Sequence, residues 1–318
     1  MAIARGRSLG SAAIFPGQGS QLLGMGKDVS DAHAIARDTY ANADEILGFS
    51  LSTLCFDGPP ERLNATDAQQ PAIFVTSVAL FRAALAAGRI KAGQFDILGG
   101  LSLGEYTALH LGGALPFESA LRLVFRRGQL MQRAAEASPS GMVSVLGLSE
   151  EQVVAVCEQA SGRGRIAPAN FNCPGQIVIS GHRDACEAAV AAIDQAGGKA
   201  VPLKVAGAFH SEFMKPAADA LREELAVVPI ESPRTRVIRN VDAEYHGDPA
   251  SIRDALYRQV FSPVRWQQCV ERMIRDGCDE FVEIGPNRVL TGLMRKINRS
   301  ARAASIGVAG DLNAGGAS

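Results

Sequence analysis

The stretch GGLSLGE, residues 99–105, contains the pattern G-x-S-x-G centred on Ser102. Between a strand and a helix, this pattern is typical of a nucleophile elbow, in which the glycines allow a sharp turn that exposes the serine hydroxyl. The N-terminus of the following helix then offers free N–H groups and a partial positive charge to an oxyanion. The pattern predicts Ser102 as a nucleophile, and a tight turn without chemistry is the alternative.

A serine hydroxyl needs a base to become nucleophilic, and the chain has five histidines. His210, in GAFHSEFM, lies between a predicted strand and a predicted helix, where a loop can bring a base to an elbow. We expect it to be that base, and a helix-capping or core histidine is the alternative. We expect the others to lie on the solvated surface (His33, His246), beyond the elbow on its own helix (His110) and at a strand end (His182).

The elements that would position these residues alternate along the chain. Apolar runs at 12–15 and 96–99 read as strands, and helical patterns cover 31–47, 72–87 and 116–137. Alternating strands and helices predict an α/β fold, with a parallel sheet covered by helices on both faces.

The order of predicted strands and helices changes between residues 138 and 206. There the order of predicted elements is β-α-β-β-α-β, which is that of the ferredoxin-like split βαβ motif. We therefore predict a small ferredoxin-like domain, 139–206, inserted into a large α/β catalytic domain formed by 1–138 and 207–318.

Composition limits the classes of function. The chain has 318 residues, of which 47% are hydrophobic and 20% charged, and its formal net charge of −1 indicates no nucleic-acid surface or basic membrane patch. No apolar run reaches membrane-spanning length. The six cysteines are scattered, with no C-x-x-C pair or zinc-like spacing, so we expect no metal site, reduced thiols and a cytoplasmic location.

Several separated motifs together resemble one family. They are FPGQGSQ (15–21), SLGEY (102–106), RRGQLMQ (126–132), NFNCPGQIVISG (170–181), GAFHSEFM (207–214), RQVFSPVRW (258–266) and EIGP (283–286). In this order and spacing, the chain closely resembles the malonyl-CoA:acyl carrier protein transacylases of bacterial fatty-acid synthesis and the related acyltransferase domains of polyketide synthases. The resemblance implies that the large domain is α/β-hydrolase-like, and it leaves open which of the two pathways the chain serves.

The resemblance also implies roles for individual residues. Ser102 would accept the acyl group, and His210 would act as general base and then as general acid. The backbone N–H groups of Gln18 and Leu103 would bind the oxyanion. In this family a main-chain carbonyl, here that of Gln259, holds the histidine in place of an acidic third residue.

Four further residues would line or select the acyl group. Arg127 matches the family residue that binds the free malonyl carboxylate, a task suited to the forked guanidinium. Asn172 would line the site, and the bulky ring of Phe209 would leave less room for a methyl branch. Leu101 departs from the family, whose members usually carry histidine before the nucleophile.

The implied reaction is ping-pong transfer of malonyl from malonyl-CoA to the phosphopantetheine thiol of an acyl carrier protein, through malonyl-Ser102. It needs no metal or redox cofactor, and the family precedent is a monomer. Two other classes remain as alternatives: a serine acyl hydrolase such as an editing thioesterase, and a non-catalytic module that docks carrier proteins.

Overall fold

The computed structural model describes residues 10–313 of the chain. The strands are β1 (Gly10–Phe15), β2 (Ile97–Gly100), β3 (Ser140–Leu146), β4 (Ile166–Cys173), β5 (Gln176–His182), β6 (Lys199–Pro202), β7 (Arg236–Val237), β8 (Cys278–Ile284) and β9 (Arg302–Ile306). The helices are α1 (Lys27–Ala32), α2 (Ala34–Leu47), α3 (Leu51–Asp57), α4 (Pro60–Leu63), α5 (Thr66–Ala86), α6 (Leu103–Leu111), α7 (Phe117–Glu136), α8 (Glu150–Ala160), α9 (Arg183–Gln195), α10 (Lys215–Val227), α11 (Pro249–Gln259), α12 (Trp266–Arg275), α13 (Val289–Ile297) and α14 (Gly310–Asn313).

The larger sheet is parallel, with strand order β7-β2-β1-β8-β9. Its central strands are apolar and buried, as expected when helices cover both faces of a parallel sheet. Phe15 pairs with Gly100, so the loops that follow β1 and β2 leave the sheet side by side. The α/β fold with a parallel sheet is thus confirmed, and its register brings the Gln18 loop next to the Ser102 turn.

The smaller sheet is antiparallel, with strand order β4-β5-β3-β6. Helices α8 and α9 pack on it and bury a separate apolar cluster that includes Val153, Ile179 and Ile193. Main-chain hydrogen bonds from Phe171 to Val264 (2.9 Å) and from Val264 to Ala169 (2.8 Å) connect β4 to the segment before α12. This strand is therefore held against the carboxyl edge of the parallel sheet.

Helix α5 is a largely buried helix near the site. It is buried along most of its length and packs against α2 and α7, so its apolar residues face neighbours on nearly all sides. Polar side chains on such a helix need internal partners, and Gln70 is fully buried. Within residues 10–313, no helix is both long enough and apolar enough to span a bilayer.

Candidate active site

The Ser102 turn is a strained elbow between β2 and α6. Ser102 has φ 51° and ψ −101°, a backbone conformation that non-glycine residues rarely adopt. A side chain on Gly100 would overlap the main chain of Gly104, and one on Gly104 would overlap the main chain of Phe15. Both glycines of the G-x-S-x-G pattern are therefore required by close backbone approach.

Ser102 and His210 meet although 108 residues separate them in sequence. The Ser102 Oγ lies 2.8 Å from the Nε2 of His210, and the Nδ1 of His210 lies 2.9 Å from the main-chain oxygen of Gln259. A carbonyl oxygen can only accept, so Nδ1 carries the proton and donates it there. Nε2 is then free to accept the serine proton, as a general base must.

Burial keeps His210 neutral. Burial, and next the positive charge of Arg127, lower the pKa of His210 from 6.5 to about 4, while its hydrogen bond to the Gln259 carbonyl opposes the shift. The imidazole is therefore an unprotonated base throughout the neutral range.

We expect the acid limb of the acylation rate to reflect this low pKa. The rate constant for loading Ser102 should fall as pH drops through about 4, whereas an ordinary histidine would give a midpoint near 6.5. Acetyl-CoA is the better reporter, because a free carboxyl on the substrate would itself titrate at about pH 4. Single-turnover acylation between pH 3.5 and 8 measures the midpoint, and re-assay at neutral pH controls for acid unfolding. A midpoint near 6.5 would contradict the buried, neutral base.

Arg127 projects from α7 to the reacting oxygen and is 1% exposed. One terminal nitrogen donates to the Ser102 Oγ (3.0 Å) and to the Gln259 Oε1 (2.9 Å), and the other donates to the Gln70 Oε1 (2.7 Å). All three acceptors are neutral oxygens, and Nε has no partner among the described residues. Among residues 10–313, Arg127 is thus a buried cation whose direct contacts include no anion; it lies beside the Ser102 hydroxyl but does not line the adjacent cavity.

A cavity of about 190 Å³ opens beside Ser102 and His210, between the two sheets. Gln18 and Leu101 line it from the loops that follow β1 and β2, and Asn172 lines it from β4. Phe209 also lines it and is buried. The structure therefore brings these sequence-predicted residues to one pocket, and its remaining wall is mainly apolar.

The expected oxyanion donors lie at the same place. Leu103 is the first residue of α6, so its N–H has no acceptor within the helix. Gln18 lies in the turn after β1, and the neighbouring N–H of Leu101 donates to the Phe15 oxygen (3.1 Å), which joins the two loops. The N–H of Ser102 itself donates to the Asn240 Oδ1 (2.6 Å), so it is not free to bind an oxyanion.

Sequence reasoning missed a buried polar cluster behind the elbow. Asn240 accepts from the Ser102 N–H (2.6 Å) and donates to the Gly100 oxygen (2.8 Å). Its own N–H donates to the Glu105 Oε2 (3.0 Å). A charged residue in the first turn of an apolar helix, as in LGEYTAL, is the sequence signal that could have drawn attention to Glu105.

The expectation that His246 lies on the solvated surface was wrong. His246 is 6% exposed, and its Nε2 lies 2.8 Å from the Glu105 Oε1. Its main-chain N–H donates to the Val237 oxygen, which pulls the YHGD segment against the sheet edge. A polar segment that reads as a turn thus carries a buried histidine.

Known proteins resemble this chain over most of its length. The model of the acyl transferase domain family matches residues 13–316. The malonyl CoA-acyl carrier protein transacylase of Salmonella typhimurium is 41% identical over 95% of this chain and 97% of its own length. That of Bacillus subtilis is 40% identical over 93% and 92%, respectively.

Solved structures of malonyl transferases also superpose on this chain. An acyl carrier protein S-malonyltransferase from Vibrio cholerae superposes with a TM-score of 0.91 at 42% identity, over 96% of this chain and 99% of that chain. A malonyl-transacylase in complex with a type II polyketide synthase acyl-carrier protein superposes with a TM-score of 0.91 at 40% identity, over 95% and 97%. The chain therefore belongs to the acyl transferase domain family, within the group of malonyl CoA-acyl carrier protein transacylases.

Proposed function

We propose that this chain transfers a malonyl group from malonyl-CoA to the phosphopantetheine thiol of an acyl carrier protein, through a malonyl-Ser102 intermediate. The observation that carries the proposal is Arg127, a fully buried guanidinium 3.0 Å from the Ser102 Oγ with only neutral acceptors in contact. The free carboxylate of a malonyl group would give this cation its anion. The related transacylases named above act on the same substrate pair by name.

In the first half-reaction, Nε2 of His210 removes the Ser102 proton as Oγ attacks the thioester carbonyl. The N–H groups of Leu103 and Gln18 stabilise the oxyanion, and the dipole of α6 adds to this stabilisation. Collapse breaks the C–S bond, and the coenzyme A thiolate takes the proton from His210. The carrier thiol then reverses these steps on the malonyl-serine ester.

The positive charge on His210 exists only during these proton transfers. The carbonyl of Gln259 accepts from Nδ1 throughout, so the ring keeps its orientation when it is protonated. Arg127 orients the malonyl carboxylate with its forked donors, and Phe209 narrows the cavity next to the base.

One mass-spectrometric experiment tests the proposal against its alternatives. The protein is incubated with malonyl-CoA, with and without acyl carrier protein. We expect a stable gain of one malonyl group that disappears when carrier protein arrives. Release of free malonate without carrier protein would instead indicate a hydrolase, and failure to acylate would indicate a docking module.

Leu101 occupies the place where the related enzymes usually carry histidine. It lines the cavity and packs against a buried apolar cluster that includes Ile14, Trp266 and Met273, so we propose that it fills space while Arg127 alone binds the carboxylate. We predict that Leu101→His changes malonyl kcat/KM by no more than about tenfold, or roughly 1.4 kcal/mol. Steady-state transfer with malonyl-CoA and acetyl-CoA measures this change. A wild type inert toward malonyl-CoA but activated by Leu101→His would point to another acyl group as the cargo.

The finer description of the fold is also proposed. We propose an α/β-hydrolase-like large domain (1–138 and 207–318) and a small ferredoxin-like domain (139–206). Support for the small domain comes from its element order β3-α8-β4-β5-α9-β6 and its strand order β4-β5-β3-β6. All six cysteines are free thiols, which fits the proposed location in the cytoplasm.

A further inference from the structure

Glu105 has a buried carboxylate that accepts hydrogen bonds from several neighbours. Its side chain is 1% exposed, and it accepts from the main-chain N–H of Asn240 (3.0 Å) and the Nε2 of Gln259 (2.8 Å) at one oxygen. Its other oxygen lies 2.8 Å from the Nε2 of His246. The Nδ1 of His246 is buried and has no hydrogen-bond partner within residues 10–313, whereas Nε2 faces the carboxylate and donates to it.

Gln259 connects Glu105 to Ser102, His210 and Arg127 through its side chain and its main chain. Its Nε2 donates to Glu105 and to the main-chain oxygen of Ser102 (3.0 Å), and its Oε1 accepts from Arg127 (2.9 Å). Its main-chain carbonyl accepts from His210 (2.9 Å). One residue thus contacts the nucleophile, the base and the carboxylate-binding cation.

The chemistry of these contacts allows one orientation of the Gln259 amide. Glu105 and the Ser102 carbonyl only accept, so they must face the NH₂ group. Arg127 only donates, so it must face the oxygen. The negative charge of Glu105 also attracts Arg127 and raises the pKa of that arginine, against the larger lowering caused by burial.

We propose that Glu105 is a positioning residue for acyl transfer, which acts through the Gln259 amide to set the elbow, the base-orienting carbonyl and Arg127 together. The carboxylate of Glu105 contacts neither His210 nor the substrate. It holds the residues that make those contacts. This inference rests on the proposed malonyl transfer.

The substitution Glu105→Gln removes the negative charge of this side chain and keeps its shape. The remaining oxygen can still accept from Asn240 and Gln259, and His246 can change tautomer to accept from the new NH₂ group. We expect kcat for malonyl transfer to fall about ten- to a hundredfold, because the reacting groups are less well placed. We expect KM for malonyl-CoA not to rise, because the variant keeps Arg127, the guanidinium proposed to bind the malonyl carboxylate, and its hydrogen bond to Gln70.

Glu283→Gln is the matched control. Glu283 is also fully buried and accepts from the N–H groups of Leu290 and Thr291 and from the Thr291 hydroxyl, away from Gln259 and Arg127. It should cost stability in thermal unfolding yet leave kcat and the ratio of malonyl to acetyl transfer unchanged. If Glu105→Gln gives the same kinetics as this control, or lowers kcat while raising KM, the positioning role is wrong.

Gln259→Met keeps the test decisive if Glu105→Gln does not fold. It retains the main-chain carbonyl and most of the volume but removes the bridging amide, so kcat should fall at least about tenfold. Wild-type rates in this variant would overturn the proposal. Wild type is assayed in parallel: if it does not load malonyl, the proposed function fails as well, whereas normal loading with unaffected variants defeats only the role of Glu105.

Discussion

Ser102→Ala should take up no malonyl group from malonyl-CoA, and its transfer rate should fall by on the order of 10⁶-fold, as in other serine enzymes that lose their nucleophile. The reason is geometric, because Ser102 has the hydroxyl that lies 2.8 Å from the base and 3.0 Å from Arg127. Alanine keeps the Cβ at φ 51°, so the elbow itself has no new strain to accommodate. Intact-mass measurement after incubation with malonyl-CoA reads the outcome directly.

The control for this variant is Ser144→Ala. Ser144 is buried to a similar extent, at 7% exposed against 5% for Ser102, but it lies on β3 in the smaller sheet. It should load malonyl like wild type, and thermal unfolding should show that both variants are folded. A Ser102→Ala protein that still gained one malonyl group, saturably and stably, would end the assignment of the nucleophile.

The elbow was predictable because its determinants are local. A strand that ends in Gly100, a serine and a glycine at Gly104 specify the turn within five residues, and the backbone overlaps that a side chain would cause confirm why glycine is needed. By contrast, the meeting of Ser102 with His210 and Gln259 joins three distant segments. Spacing in the sequence contains no information about that meeting, and the family resemblance supplied it.

The predicted helix boundary was wrong at a position where no residue type signals the end of a helix. The pattern at 31–47 predicts one helix, whereas the structure ends α1 at Ala32 and begins α2 at Ala34. His33 between them is extended, with φ −128°. Neither proline nor glycine marks this position, so the break depends on packing and not on local propensity.

The polar cluster behind the elbow was missed for a related reason. Glu105, Asn240 and His246 come from separate segments, and each alone resembles a surface residue. They are buried because they satisfy one another and the main chain of the elbow, a condition that only the folded arrangement reveals. Strand β7 (Arg236–Val237) is short, and the chain after it turns to bring Asn240 next to Ser102.

Arg127→Ala should damage malonyl transfer far more than acetyl transfer. A malonyl carboxylate left in the site without its partner costs about 2–5 kcal/mol, or roughly 30- to 4,000-fold in kcat/KM. Acetyl-CoA has no carboxylate to leave unpaired, so its kcat/KM should change by less than about tenfold. Losing the cation also removes one cause of the low His210 pKa, which makes the base stronger and partly offsets the lost contact to the Ser102 Oγ.

Two further variants sharpen this comparison. Arg126→Ala removes the adjacent arginine, which is paired with Glu224 near the surface and not with the site, and it should leave both activities unchanged. Arg127→Lys keeps a positive charge but not the fork that reaches Gln70, Gln259 and Ser102 at once, so its malonyl activity should fall between those of wild type and Arg127→Ala.

The measurement is steady-state transfer to carrier protein from malonyl-CoA and from acetyl-CoA, for wild type and all three variants. The ratio of the two kcat/KM values is the decisive quantity, because a general loss of folding or of Ser102 placement lowers both activities together and leaves the ratio unchanged. A ratio unchanged in Arg127→Ala would make Arg127 a structural residue and would remove the observation on which malonyl specificity rests. A ratio that collapses in Arg127→Ala but not in Arg126→Ala would assign carboxylate recognition to one buried guanidinium.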